Sequence, residues 1–177
     1  MTKPIDSYWD LLDPYFEKVN IYDGPEKLAE SVACIPSHAV LLYAVHMCQS
    51  EVCNGGFLQL FWNSTGIIVP DAIEGYRSIG MPETASVVEQ AALCLGTLYP
   101  RDRDDRWDAL LTSSPLSEDE IKVIFEAEEN LYIAFAKATK ALPFDQLDRQ
   151  FYKLLGAENG GFEAAATRYA HDLSTSE

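Results

Sequence analysis

The sequence predicts an all-α protein, a single-domain bundle of eight to nine helices. Apolar residues recur at three- and four-residue spacing along most of the chain, as on the buried face of a helix. Glycines and prolines stand where these stretches begin or end. The only stretch that suggests a strand, Gly66–Val69, is too short to count. A chain of 177 residues with 47% hydrophobic residues can bury a core without disulfides or metal.

The first two thirds of the chain divide into six predicted helices. The first spans 4–19 and carries one apolar stripe: Tyr8, Leu11, Leu12, Tyr15 and Val19. The next five begin at prolines, which favour the first helical turn, or end near glycines. Their predicted ranges are Pro25–Cys34, Pro36–Asn54, Phe57–Ser64, Asp71–Ile79 and Pro82–Leu98.

A long exposed loop is predicted at Tyr99–Arg106, where charges of both signs alternate, with Trp107 as its anchor. Beyond it, Ser117 and Glu120 form a capping box. A long helix is expected from there to Leu142, because Pro143 then interrupts the pattern. Two further helices, Phe144–Leu155 and Phe162–Leu173, complete the fold.

The charge of the chain excludes two classes of partner. Thirteen Lys and Arg stand against 28 Asp and Glu, which gives a formal net charge of −15. Such a surface repels phosphate, so neither direct nucleic-acid binding nor binding to an anionic membrane is expected. Between Ser31 and Pro70 the only formal charge is Glu51, so this segment is predicted to form the core.

The cysteines and the N-terminus indicate a cytoplasmic protein. Cys34, Cys48, Cys53 and Cys94 form no C-x-x-C pair and lie in apolar stretches. The N-terminal residues lack the apolar segment of an export signal. The longest uncharged run, Ala39–Cys48, is far shorter than the roughly 18 residues of a membrane span.

No familiar catalytic signature is present, so we expect neither an enzyme nor a metal or cofactor site. His38, His46 and His171 are widely separated, and a site joining His46 to Cys53 is less favoured than a surface histidine. Glu128 is the exception, because it points into the apolar face of the predicted long helix. A carboxylate there must be hydrogen-bonded, paired or protonated, and an open cleft beside it would favour catalysis.

Acidic residues cluster in the second half of the chain. Such clusters are compatible with three roles: a solvated helix face, a surface that recognises a partner, or a site of metal or acid–base chemistry. The interleaved arginines and the spacing do not match a calcium loop. The clusters are Asp102, Asp104, Asp105 and Asp108; Glu118, Asp119 and Glu120; and Glu126, Glu128 and Glu129.

The segment from Asn54 to Gly66 stands apart from the rest. Asn54 and the two glycines after it allow one helix to stop and another to start at a sharp angle. Phe57 and Phe61 then lie one turn apart, and so do Gln59 and Asn63. The amides must find partners in a core segment. The segment is therefore either a structural element or the wall of a pocket that recognises a peptide or ligand.

This segment resembles the pattern N-G-G-F-x-Q-x-F-x-N-x-x-G of a bacterial domain-of-unknown-function family that includes the DMP-type DNA-mimic proteins. The matching residues are Asn54, Gly55, Gly56, Phe57, Gln59, Phe61, Asn63 and Gly66. The likeness extends over about residues 30–155, and the N-terminal helix is expected to pack on this core.

The resemblance implies an acidic protein that occupies the DNA site of a DNA-binding protein, such as a transcription regulator or nucleoid protein. It also implies a homodimer, to which the apolar Ile133 could contribute a contact. The expected partner-binding residues are Asp102, Asp104, Asp105, Asp108, Glu118, Asp119, Glu120, Glu126 and Glu129, with Asp6, Asp10, Asp13 and Glu17 as a second patch. The alternative is a non-catalytic, immunity-like module that binds a protein or peptide through the Gln59/Asn63 surface.

Overall fold

The computed structural model describes residues 6–175, and these residues form an all-helical fold without β-strands. The predicted class is thus confirmed, but the described residues contain ten α-helices rather than eight or nine. Two short 3-10 helices, Ser64–Ile68 and Glu158–Gly160, accompany them. The α-helices are α1 (Tyr8–Phe16), α2 (Pro25–Val32), α3 (Ser37–Trp62), α4 (Val69–Ser78), α5 (Pro82–Leu93), α6 (Arg103–Thr112), α7 (Glu118–Ala127), α8 (Leu131–Ala138), α9 (Phe144–Ala157) and α10 (Phe162–Thr175).

Helix α3 lies at the centre of the fold and packs against α1, α4, α6 and α9. It joins the two helices predicted at 36–54 and 57–64, which continue into each other through a kink at Gly55 and Gly56. Its core side chains, such as Leu42, Cys48 and Leu60, are fully buried. The segment with almost no formal charge therefore supplies the centre of the core, to which the other helices add. The buried apolar residues from α1 to α10 make one connected cluster.

Helix α1 is held on this core by Tyr8. Its hydroxyl lies 2.9 Å from Nδ1 of His46 on α3, and its backbone N–H donates to Oγ1 of Thr167 on α10 at 3.3 Å. The helix ends at Phe16, three residues before the predicted end at Val19. The beginning of the predicted helix, residues 4 and 5, lies outside the described residues.

The single long helix predicted up to Leu142 is wrong, because the chain breaks between α7 and α8. Glu128 has an extended backbone, with φ −112° and ψ 126°. Asn130 then caps the new helix by accepting a hydrogen bond from the backbone N–H of Ile133 at 3.1 Å. Glu128 is half-buried and pairs with Lys137, so it has the partner that the sequence requires.

The loop predicted over residues 99–106 is confirmed only for 99–102, and the prediction is wrong from Arg103 onward. Helix α5 ends at Leu93 rather than Leu98, after which Gly96 adopts φ +110°. The chain reaches α6 at Arg103, and the side chain of Asp102 caps this helix by accepting from the N–H groups of Asp104 and Asp105. Arg106 is 1% exposed. The charged stretch is therefore half helix, and one of its arginines belongs to the core.

Candidate functional site

The kink in α3 depends on a carboxylate from another helix. Gly56 has φ +75°, which favours glycine. The N–H of Phe57, at the start of the second half of α3, donates to Oδ1 of Asp148 on α9 at 2.8 Å. Burial raises the pKa of this carboxyl, and the hydrogen bond from Phe57 partly opposes the shift. A Cβ on Gly56 would lie 2.4 Å from Oδ2 of Asp148, so a side chain here would displace the cap.

The amides of Gln59 and Asn63 bind the carboxylate of Glu51. Nε2 of Gln59 donates to Oε1 of Glu51 at 2.8 Å, and Nδ2 of Asn63 donates to the same oxygen. Oγ1 of Thr65 lies 3.1 Å from the second oxygen. Three donors therefore satisfy the one charge of the central segment. The stripe of amides predicted from the sequence turns inward and holds the two halves of α3 together across the kink.

The C-terminal end of α3 is bound by side chains of α6. Nε of Arg106 donates to the carbonyl of Phe61 at 3.1 Å, and its Nη2 donates to the carbonyl of Asn63 at 2.9 Å. Nε1 of Trp107 donates to the carbonyl of Trp62 at 3.1 Å. The carbonyls of Phe61 and Trp62 belong to the last turn of the helix, where no further helical N–H follows, and that of Asn63 also accepts from the N–H of Gly66. The negative end of a helix dipole favours a cation there. Burial lowers the pKa of Arg106.

The last glycine of the segment, Gly66, makes room for this arginine. A Cβ on Gly66 would lie 2.7 Å from Nε of Arg106 and 2.7 Å from the carbonyl oxygen of Leu60. The carbonyl of Gly66 accepts from the hydroxyl of Tyr99 at 2.8 Å. Most residues of the N-G-G-F segment therefore shape the kink in α3 or anchor its end. Asn54 and Gly55 are exposed at the kink.

The nine predicted partner-binding residues are all exposed, in contrast to the segment just described. On α6, Asp102 uses its side chain to cap the helix. Asp104 and Asp105 follow in the first turn. Asp108 lies one turn further on the same face, because residues three and four apart are neighbours on a helix. These last three carboxylates make no ion pair or side-chain hydrogen bond with the described residues.

On α7, the first turn carries three carboxylates, but one of them stabilises the helix itself. Glu120 accepts hydrogen bonds from the N–H and the hydroxyl of Ser117, and these bonds lower its pKa. The predicted capping box is thus confirmed. Glu118 and Asp119 have no ion pair with the described residues, whereas Glu126 lies 3.9 Å from Lys122.

Glu129 lies in the connection between α7 and α8. It is exposed and has no ion pair with the described residues. Six predicted carboxylates are therefore exposed and unpaired within the described part of the chain: Asp104, Asp105, Asp108, Glu118, Asp119 and Glu129. In the second predicted patch, Asp6, Asp13 and Glu17 are exposed, while Asp10 closes the N-terminal capping box of α1.

The predicted dimer contact lies on α8. Ile133 is exposed over 44% of its surface, and its neighbour Leu131 over 52%. Both side chains are accessible to a second molecule, and the homodimer stays a prediction.

Two residues that organise this region were missed from the sequence. The mixture of charges predicts a loop at Arg106. Asp102 and Asp105, however, have the spacing of a helix N-cap and an acidic residue three positions later, a pattern that predicts the start of α6. Asp148 lies 91 positions from the N–H it caps, and no local pattern joins them.

Other kinds of site find little support in residues 6–175. In that range no group of three or more His, Cys, Asp or Glu side chains is placed to hold a metal ion. The four cysteines are free thiols. None of the described helices is both long and apolar enough to span a bilayer.

The fold and the surface define an acidic, all-helical protein with a tightly anchored central helix and unpaired carboxylates on α6 and α7. The family model described as DMP19-like protein matches residues 33–172, and this chain belongs to the DMP19-like family. The matched range includes the whole Asn54–Gly66 segment and extends further towards the C-terminus than the resemblance predicted. No curated protein and no solved structure was found to match the chain.

Proposed function

We propose that this protein is a non-catalytic DNA mimic that binds a basic DNA-binding protein and blocks its DNA site. The observation that carries the proposal is the set of six exposed, unpaired carboxylates between Asp104 and Glu129 in a member of the DMP19-like family. Family membership is consistent with this role. Residues 101–130 contain ten Asp and Glu against four Lys and Arg, and one of those cations, Arg106, is buried.

Physical reasoning explains how such a surface would act. A DNA-binding protein presents a groove of positive potential, and a negatively charged protein is steered towards it over a distance set by ionic strength. Carboxylates that are not neutralised by neighbouring cations contribute fully to this field. The complex would therefore form rapidly at low salt and weaken as salt is added.

The Gln59/Asn63 surface is not our choice of binding site. The amide nitrogens of both residues donate to Glu51, and both side chains are half-buried. A partner that bound these amides would have to compete with hydrogen bonds that hold the central helix together. We therefore place the binding surface on α6 and α7.

The test is affinity capture from a lysate of the source cells, with the protein immobilised at low salt and eluted in salt steps. The expected result is the release of a basic DNA-binding protein at moderate salt, and its displacement by added duplex DNA. A partner that resists salt, ignores DNA and has no DNA-binding character would contradict the proposal.

A matched pair of variants tests the location of the surface. Neutralising Asp104, Asp105 and Asp108 to Asn removes unpaired carboxylates from α6, and we expect the affinity for the captured partner to fall about tenfold or more. The control E26Q/E74Q/D145N changes the net charge by the same amount at exposed positions elsewhere. Glu120 is left unchanged because it caps α7. Equal losses in the two variants would show that only total charge matters, and would remove the assignment to α6.

A further inference from the structure

Helix α7 carries an apolar face that the fold covers only in part. None of its ten residues is buried. An open groove of about 480 Å³ runs between the end of α6 and this helix. Its apolar wall consists of Leu111, Leu116, Ile121 and Phe125. Leu111 and Phe125 also contact the core, whereas Leu116 and Ile121 are not part of it. The groove thus leaves two half-buried aliphatic side chains, Leu116 and Ile121, outside the main core cluster.

One acidic side chain lines this groove, and two more lie beside it on α6 and α7. Glu118 lines it directly, and Asp119 follows in the same helical turn. Asp108 precedes Leu111 and Thr112 by three and four residues, so its exposed carboxylate lies on the stripe of α6 that faces the groove. The groove also contains one cation, Lys122, which lies near Glu126.

We propose that this groove binds an amphipathic α-helix of the partner, with an apolar stripe in the groove and Lys or Arg at both of its ends. An apolar groove of this kind accepts residues at i, i+3 or i+4, and i+7 of a helix. The carboxylates at its margins select basic flanks. This inference rests on the proposed function and adds to it: the partner is recognised by apolar packing as well as by charge.

Charge complementarity favours this occupant over a second copy of the chain. Two molecules that each carry a net charge of −15 would bring their acidic margins together in such a contact. Like charges placed opposite each other oppose association. A basic helix instead neutralises Asp108, Glu118 and Asp119 while it covers the apolar wall.

The test uses a designed 18-residue helical peptide with leucines on one face and lysines at both ends, labelled for fluorescence anisotropy. A scrambled peptide of identical composition, with its leucines distributed around the helix, is the control. We expect the amphipathic peptide to bind at least tenfold more tightly than the scrambled one. Equal binding of the two peptides would overturn the inference.

Two protein variants locate the site. Ile121→Ser removes an apolar side chain from the groove, and we expect about a tenfold loss of affinity for the amphipathic peptide, as burial of one large aliphatic side chain implies. Val123→Ser, at a 64% exposed position that does not line the groove, is the matched control. No loss in I121S, or an equal loss in V123S, would contradict the assignment.

Two further measurements separate this inference from the proposed function. If the captured DNA-binding partner is lost in the α6 neutralisation variant but kept by I121S, the mimic role stands and the groove inference fails. If light scattering shows a wild-type dimer that I121S converts to a monomer, the occupant is a second copy and the inference is wrong.

Discussion

The residues that matter most for the central helix are those that replace missing backbone interactions. Asp148 supplies an acceptor to the first N–H after the kink, and Arg106 supplies donors to the last carbonyls. Arg106 is buried and Asp148 half-buried, and burial of a charged group is costly unless it is hydrogen-bonded. Within residues 6–175, no buried side-chain nitrogen or oxygen lacks a hydrogen-bond partner.

A substitution at the kink should reveal how tightly it is specified. Gly56→Ala places a Cβ at positive φ, which costs about 1–2 kcal/mol, and displaces the Asp148 cap, which costs about 1 kcal/mol more. We expect the free energy of unfolding in urea to fall by about 2–3 kcal/mol. Gly96→Ala is the control, because Gly96 also has positive φ but has open space around it. Equal losses in both variants would mean that contact with Asp148 is unimportant.

Sequence patterns predicted the main features of the central helix at the level of single residues. The kink at the two glycines and the need for amide partners followed from backbone and hydrogen-bond chemistry alone. The identity of the partners could not be predicted in this way, because Glu51 lies eight residues before Gln59 and Asp148 lies on another helix. Local rules state that a group needs a partner, and only the tertiary fold decides which one it finds.

At the scale of elements, helix α6 joins the core to the acidic surface. One side of it carries Arg106 and Trp107, which bind the end of α3, and another side carries Asp104 and Asp108. The sequence predicted a loop here because the mixture of charges is typical of exposed turns. In the structure these charged residues lie on two faces of a helix, and one of the residues, Arg106, is buried. The long helix was overpredicted for the opposite reason: its apolar periodicity continues through the break at Glu128.

The arginine anchor can be tested by its removal. Arg106→Met removes the donors to the carbonyls of Phe61, Asn63 and Arg101. The carbonyl of Asn63 keeps the N–H of Gly66, at 3.1 Å, so two acceptors lose the donor that Arg106 supplies, at about 1–3 kcal/mol each. We expect the free energy of unfolding to fall by about 3 kcal/mol. Arg103→Met removes the same charge from an exposed side chain that lies over the Trp107 ring, and should cost less than about 1 kcal/mol. Similar results for the two variants, measured by urea unfolding, would contradict the anchoring role.

At the scale of the whole molecule, the negative charge that we propose attracts a partner also destabilises the folded state. A net charge of −15 on one chain produces self-repulsion, which five described ion pairs relieve only locally. Composition predicted the sign and size of this charge. It could not predict which carboxylates stay unpaired, since that depends on where each cation lies in the fold.

Salt should therefore act on stability and on binding in opposite directions. Screening of like charges as NaCl rises from 0.05 to 0.5 M should raise the melting temperature of the free protein by about 2–4 °C, which corresponds to about 1 kcal/mol for a chain of this size. The same screening should weaken the complex with the captured DNA-binding protein. Thermal unfolding and binding measured over one salt series provide the check. The affinity of the D104N/D105N/D108N variant should depend less on salt than that of the wild type. If the affinity of the complex instead rises as salt is added, apolar contacts stabilise it, and the acidic surface of α6 and α7 has no role in recognition.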